Sequence, residues 1–126
     1  MRESLPKPTD AELGILQVLW KIGAATVKQV QVKLGNDTGY TTVLKFLQIM
    51  TEKGLVRRDE SQRAHVYRAT QSEDETQQQL VSGLLKRAFG GSSSKLVLQA
   101  LASKKASAGE LAEIRHLIEK LSKEKS

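Results

Sequence analysis

The chain has 126 residues, of which 20 are Lys or Arg and 14 are Asp or Glu, so its formal net charge at pH 7 is +6. A chain of this length forms one domain with a tail or two small domains, which leaves little room for a large catalytic cleft. The sequence contains no cysteine, which excludes disulfides, thiolate metal sites and cysteine nucleophiles.

The remaining composition narrows the location and the class of partner. The amino-terminal residues lack the apolar core of a signal peptide, and no stretch reaches the roughly 18 apolar residues of a membrane span, so we expect a soluble, cytoplasmic protein without membrane insertion. The excess of positive charge favours an anionic partner but does not identify it. A glycine-rich phosphate loop, a nucleophile elbow and an acid/base cluster are all missing from the sequence, so we expect neither an enzyme nor a bound cofactor.

Two short helices are predicted near the start of the chain. Thr9 and Glu12 form a T-x-x-E capping box that opens the first helix, and Gly23 ends it. Thr26 is placed to cap the second helix, which the Gly-Asn-Asp turn at residues 35–37 ends. The apolar residues expected to face the core are Leu13, Leu16, Leu19 and Trp20 in the first helix and Val27, Val30 and Leu34 in the second.

A third helix and a hairpin follow. The helix is predicted from Tyr40 to Lys53, with Gly54 ending it in a left-handed conformation. Alternating polar and apolar residues predict two strands at 55–59 and 64–69, separated by the polar break 60–63. Three helices and a two-stranded wing predict an N-terminal winged helix-turn-helix in a mostly α-helical protein.

The third helix has one apolar and one polar side at about 100° per residue. Its core side should pack on the first two helices and consists of Val43, Phe46, Leu47 and Met50, flanked by Tyr40 and Leu44. Its polar side consists of Thr41, Thr42, Lys45, Gln48 and Glu52. Hydroxyl, ammonium and amide groups in the first turns are what a recognition helix presents to base edges and phosphates in the major groove, and the positive helix N-terminus favours a phosphate near residues 38–42.

The predicted wing is rich in arginine. Arg57, Arg58, Arg63 and Arg68 can lie along a DNA backbone or enter the minor groove. For His65 a structural or solvent-exposed role is favoured over base contact, and for Tyr67 packing is favoured. Two alternatives to DNA binding stay open: the polar side of the third helix can be a solvated surface, or the winged helix can serve as a protein-protein interaction module.

The second half of the chain predicts three further helices. Ser72 caps the first of them and the two glycines at 90–91 close it; the serines at 92–94 precede the second, and Ser107 with Glu110 opens the third. The apolar arc of the second helix is too wide for an exposed helix, and the apolar residues of the third form a seam that suits another helix. A second copy of the chain is expected to cover them, in preference to a fold-back of the three helices on one another. The residues assigned to this homodimer interface are Leu84, Leu85, Leu96, Leu101, Leu111, Ile114, Ile118 and Leu121. We therefore expect a winged-helix DNA-binding domain at 1–70 and a helical dimerisation domain at 71–126.

Three stretches of the sequence resemble one known family. They are LPKPTDAELGILQVLW at 5–20, YTTVLKFLQIMTEKGLVRR at 40–58 and LLKRAFGGSSSKLVLQAL at 84–101, and they are distributed over both halves of the chain. The chain resembles the penicillinase-repressor family, and the resemblance implies a dimeric transcriptional repressor that binds dyad-symmetric operators in double-stranded DNA. The residues that it places against DNA are Tyr40, Thr41, Thr42 and Lys45 in the recognition helix and Arg63 in the wing.

The resemblance also implies a way of ending repression. In the best-known members, a sensor-linked protease signal leads to cleavage in the helix that corresponds to 95–101, and alignment places the bond between Gln99 and Ala100. Those members have an asparagine followed by an aromatic residue at the bond, so this chain departs from the pattern. The other interpretation is that this segment is only dimer core and that a ligand or partner protein ends repression.

Overall fold

The computed structural model describes residues 7–35, 37–103 and 106–125. Their elements, in chain order, are α1 (Asp10–Ile22), α2 (Val27–Leu34), α3 (Tyr40–Lys53), β1 (Val56–Asp59), β2 (Val66–Ala69), α4 (Glu73–Phe89), α5 (Ser93–Ser103) and α6 (Ala108–Lys125). The predicted fold class, a mostly helical chain with a two-stranded wing after the third helix, is confirmed. The chain divides into two compact units, Met1–Val81 and Ser82–Ser126.

Both of the first two helices begin with a capping box. In α1 the Thr9 hydroxyl accepts from the Glu12 N–H at 3.2 Å, and the Glu12 carboxylate accepts from the Thr9 N–H at 2.9 Å. In α2 the same exchange joins Thr26 and Gln29, at 3.2 and 2.8 Å. The two predicted caps are confirmed, although the part played by Gln29 was not foreseen. Asn36, in the predicted turn after α2, lies outside the described residues.

The core of the first unit lies between the three helices and the inner face of the wing. Its buried apolar residues are Ile15, Leu16, Leu19, Ala25, Val27, Val30, Val43, Leu47, Met50, Leu55, Val56 and Tyr67. The predicted core residues Leu13, Trp20, Leu34, Leu44 and Phe46 pack against this cluster and are partly buried. Because α3 buries one side in this cluster, its opposite side is left facing outwards.

The wing is a two-stranded antiparallel ribbon that pairs Val56 with Ala69 and Asp59 with Val66. Its strands begin later than predicted, so the prediction that they start at residues 55 and 64 was wrong. The N–H of Leu55 instead donates to the Met50 carbonyl at 2.9 Å and so closes the end of α3. The connecting loop therefore covers 60–65 rather than 60–63.

Backbone and side-chain hydrogen bonds tie the wing to the helices. Ala25, in the turn after α1, exchanges two backbone hydrogen bonds with Tyr67, at 2.9 and 2.8 Å. At the base of the ribbon, the Thr70 hydroxyl donates to the Gly54 carbonyl at 2.7 Å. Tyr67 is buried, as predicted, and it carries β2 into the core. These contacts fix the position of the ribbon next to the end of α3.

The last three helices are well capped but little buried. Ser72 and Glu75 form a capping box at the start of α4, the Ser92 hydroxyl accepts from the Lys95 N–H at 3.2 Å, and Ser107 with Glu110 caps α6. These predicted helix starts are confirmed. In the described parts of α5 and α6 no residue is buried, and in α4 the buried residue is Thr76. No described helix is long and apolar enough to cross a membrane.

Candidate nucleic-acid interface

The outward side of α3 is the centre of the candidate interface. Thr41, Thr42, Lys45 and Gln48 are all exposed on it. On the opposite side Val43, Leu47 and Met50 have 0% relative exposure. Burial of that side fixes the rotation of α3 about its own axis, so four of the residues predicted to contact DNA face outwards together.

The start of α3 is open to an incoming group. Gly39 occupies the N-cap position and provides no side-chain hydrogen bond, unlike Thr9 and Thr26 at the two preceding helices. The first N–H groups of a helix have no partners within the helix and can bind an anion. Tyr40, predicted both to flank the core and to approach DNA, is 48% exposed at this end of the helix.

An ion pair holds the far end of α3. The Lys53 ammonium lies 2.9 Å from both carboxylate oxygens of Glu12, which is only 2% exposed in α1. Burial by itself would raise the pKa of Glu12, but the hydrogen bond from the Thr9 N–H and the contact with Lys53 outweigh it, so the pKa is lowered. The T-x-x-E spacing predicts the capping role of Glu12, but the pair with Lys53 was not predicted, because no local spacing signals a contact across 41 positions.

The wing arginines differ in their surroundings. Arg57 and Arg68 are exposed and directly opposite each other in the ribbon. Arg58 is paired with the Glu60 carboxylate, through Nη2 at 2.6 Å and Nε at 2.7 Å. Hydrogen bonding to the Tyr67 hydroxyl, followed by the pairing with Glu60, raises the pKa of Arg58. Part of the charge of Arg58 is thus already matched within the wing, whereas Arg57, Arg63 and Arg68 form no ion pair with the described residues.

The residues predicted for dimerisation and cleavage lie in the last three helices. Leu84, Leu111, Ile118 and Leu121 are exposed, with Ile118 at 54%, and Leu85, Leu96, Leu101 and Ile114 are partly exposed. Gln99 and Ala100 are both exposed within α5. This arrangement leaves a set of large apolar side chains in contact with solvent.

Three packed helices, an outward polar side on the third and a basic ribbon after it define a winged-helix protein of the DNA-binding class. The family model described as penicillinase repressor matches residues 8–120. The chain belongs to the penicillinase repressor family. It is accordingly a DNA-binding transcriptional repressor and not an enzyme.

Individual relatives agree with this assignment. The penicillinase repressor of Bacillus licheniformis is 24% identical over 93% of each chain. The transcriptional regulator BlaI of Mycobacterium tuberculosis is 37% identical over 60% of this chain and 54% of its own. Among solved structures, the DNA-binding domain of the repressor BlaI matches 59% of this chain and 93% of its own, with 24% identity and a TM-score of 0.50. That last similarity concerns the fold.

Proposed function

We propose that the chain represses transcription as a homodimer on a dyad-symmetric operator, with α3 of each protomer in the major groove. The observation that carries this proposal is the polar outward side of α3, which the buried core residues on the opposite side hold in a single orientation. An α-helix fits the width of the major groove, where base edges present donor and acceptor patterns that differ between base pairs. The proposal places the protein in the cytoplasm, where the chromosomes of bacteria such as those of its relatives lie.

Each group of candidate residues has a distinct role in this proposal. Thr41, Thr42, Lys45 and Gln48 offer donors to base edges and to nearby phosphates, and Tyr40 lies where α3 meets the backbone. In the wing, Arg57 and Arg63 supply charge to the backbone or the minor groove. Arg58 contributes less than these two until a phosphate displaces Glu60 from it. Phosphate contacts position the protein, and the contacts of α3 with base edges select the sequence.

The exposed apolar residues of α4 to α6 support the homodimer. Burying one large aliphatic side chain is worth about 1.5–3 kcal/mol, and several of these helices' leucines and isoleucines are exposed in one chain. A second copy would cover them with an isologous interface, because the same surface occurs on both protomers. The dimer then has two linked winged-helix domains, one for each half of a palindromic operator.

Cleavage between Gln99 and Ala100 is the proposed means of ending repression. Both residues are exposed, which favours access by a sensor-linked protease. The bond lies inside α5, so the helix has to open locally before a protease can bind it. Mass spectrometry of the repressor from induced cells tests this step. Fragments ending at Gln99 would support it, and full-length protein in cells that already express the target genes would refute it.

Fluorescence anisotropy on two duplexes tests the proposed function itself. One duplex is selected from random DNA by the wild-type protein, and the other has the same composition in scrambled order. We expect the Lys45→Ala variant to bind the selected duplex about 1–3 kcal/mol more weakly than the wild type does. Lys120→Ala in α6 removes the same charge and is the control, and its affinity for this duplex should change little. Equal affinity of the wild-type protein for both duplexes, with little salt dependence, would instead favour the protein-interaction module.

A further inference from the structure

A cleft of about 290 Å³ opens between the start of α2, the start of α3 and the loop of the wing. Residues from all three segments line it, among them Lys28 from α2, Tyr40 and Leu44 from α3, and Arg63, Ala64 and His65 from the wing loop. Neither Lys28 nor His65 was among the residues that the sequence analysis assigned to DNA. The three segments are distant in sequence and come together only because the ribbon folds back against the helices.

The polar groups of this cleft favour an anion. Its lining contains Lys28 and Arg63 and no carboxylate, and neither of these two residues forms an ion pair within the described part of the chain. Lys28 donates to the amide oxygen of Gln31 at 3.4 Å, a neutral partner that leaves its charge unmatched. Glu60, the first residue of the wing loop, pairs with Arg58, and Asp59, at the end of β1, accepts from the Ser61 N–H at 2.9 Å. Neither acid lines the cleft.

The lining of the cleft also includes apolar groups. Val27 and Tyr67, which are buried, line it together with the aliphatic side chains of Leu44 and Ala64. A free inorganic anion would gain nothing from these apolar groups. The sugar-phosphate backbone of DNA has a group for each part of the lining. The phosphate is an anion for the basic residues, and the deoxyribose joined to it has an aliphatic edge for the apolar ones.

The position of the cleft on α3 matches one wall of the major groove. Tyr40 and Leu44 lie one turn apart along the helix, and Thr41 and Lys45 form the adjacent row, rotated by about 100°. When the row of Thr41 and Lys45 faces the base edges, the row of Tyr40 and Leu44 faces the phosphates that border the groove. A backbone strand of the bound duplex would therefore run past the mouth of the cleft.

We propose that this cleft binds one backbone phosphate of each operator half-site. Lys28 and Arg63 supply the charge, His65 adds an imidazole at the rim, and Leu44 with Ala64 contacts the neighbouring deoxyribose. The inference rests on the proposed function and extends the interface from α3 and the wing to the start of α2. A phosphate contact does not distinguish one base sequence from another. The role of the cleft is therefore to set the register and orientation of α3 on the duplex.

The salt dependence of binding gives the first test, on the full-length chain. Lys28→Gln should reduce the slope of log K against log salt concentration by up to about 1.8 for the homodimer, which is about 0.9 for the phosphate contact in each half-site. It should weaken binding to selected and scrambled duplexes by the same factor. Lys33→Gln is the matched control, because Lys33 lies at the other end of α2 and does not line the cleft. A Lys28→Gln variant with the slope and affinity of the control would overturn the inference.

Duplexes with a single neutral methylphosphonate linkage locate the contact. For the wild-type protein, one linkage in each half-site should weaken binding, and the Lys28→Gln variant, which keeps only Arg63 at the cleft, should lose less affinity at that linkage than the wild type does. If the variant is as sensitive as the wild type at every linkage, the cleft does not hold a phosphate. Wild-type protein that binds no duplex would instead overturn the proposed function, so the two failures are distinguishable.

Discussion

Glu12 takes part in two contacts, one that caps the start of α1 and one that joins α1 to the end of α3. Its carboxylate caps α1 through the Thr9 N–H and pairs with the Lys53 ammonium while the residue is almost fully buried. A buried carboxylate is costly unless it is hydrogen-bonded and paired. Each contact therefore compensates for the burial that core packing imposes on the group.

Removing the cation should destabilise the first unit. Lys53→Met keeps an apolar stem but leaves the Glu12 carboxylate buried without its partner, and we expect a loss of about 1–3 kcal/mol in the free energy of unfolding. Urea denaturation followed by circular dichroism measures it. The matched control is Arg58→Met, which removes the cation of the exposed pair with Glu60 and should cost much less. Equal losses for the two variants would show that the burial of Glu12 is irrelevant.

The lowered pKa of Glu12 predicts how stability depends on pH. The folded state binds the proton more weakly than the unfolded state, so the ionised carboxylate stabilises the fold. This contribution is complete above the ordinary value of 4.5 and is lost as the pH falls through the lower value of the folded state. Glu12→Gln should flatten the acid side of the stability curve measured by urea denaturation. Parallel curves for the variant and the wild type would contradict this.

At the scale of elements, the end of α3 decides where the wing begins. Gly54 has φ 84° and ψ 10° and donates to the carbonyls of the last turn, after which Leu55 leaves the helix towards the ribbon. This left-handed conformation costs an L-residue roughly 1–2 kcal/mol, and glycine adopts it without that cost. The direction of the wing thus depends on one residue.

Two glycine-to-alanine substitutions should have opposite effects on stability. Gly54→Ala should destabilise the protein by about 1 kcal/mol because the backbone there is left-handed. Gly14→Ala lies inside α1, where a new Cβ meets no atom within 4 Å, and should stabilise by about 0.5–1 kcal/mol through helix propensity. Thermal unfolding of both variants measures the signs. A stabilising Gly54→Ala would rule out the role given to this C-cap.

The wing should bind DNA more tightly when Arg58 is released. Glu60→Gln removes the carboxylate that pairs with Arg58, so the guanidinium becomes available to a phosphate. The slope of log K against log salt concentration should then steepen by up to about 1.8 for the homodimer, about 0.9 for the Arg58 of each protomer. Glu119→Gln in α6 changes the net charge equally and provides the control. Arg58 would be shown to stay away from the backbone if both variants bound like the wild type.

At the scale of the whole molecule, most apolar packing is in the first unit and most exposed apolar residues are in the last three helices. Every residue of the apolar core cluster lies between Ile15 and Tyr67. The large apolar residues exposed beyond it are Val81, Leu84, Val97, Leu98, Leu111, Leu117, Ile118 and Leu121. This distribution is expected if the winged-helix domain folds by itself and, as proposed, the last helices pack on another copy of the chain.

Charged residues placed on the apolar face of α6 should therefore separate the protomers of the proposed homodimer without unfolding the winged-helix domain. Leu111→Glu with Ile118→Glu is expected to give monomers by light scattering and a large loss of operator affinity, because two linked half-site contacts gain from effective concentration. The control, Ala112→Glu with His116→Glu, adds two carboxylates on the other face of α6 and should remain dimeric. An unchanged dimer in the first variant would refute the assigned interface.

Local patterns in the sequence were sufficient to predict much of this structure. Capping boxes, a glycine after each early helix and the two-sided pattern of α3 predicted the helices and the outward side of α3, because these signals act within one or two turns. The start of β1 was misplaced because the Leu55 N–H donates to the Met50 carbonyl and so belongs to the end of α3. Alternation along the chain carries no information about that hydrogen bond.

The sequence by itself determined the winged-helix order, the rotation of α3 and the basic character of the wing, since each depends on residues close together in the chain. Only the tertiary structure decided that Lys53 pairs with Glu12, that Arg58 is already paired while Arg57 is not, and that Lys28 shares a cleft with Arg63. Packing sets which distant side chains meet, and a meeting between distant residues leaves no period in the sequence. The charge available to DNA is therefore a property of the folded chain and not of its composition.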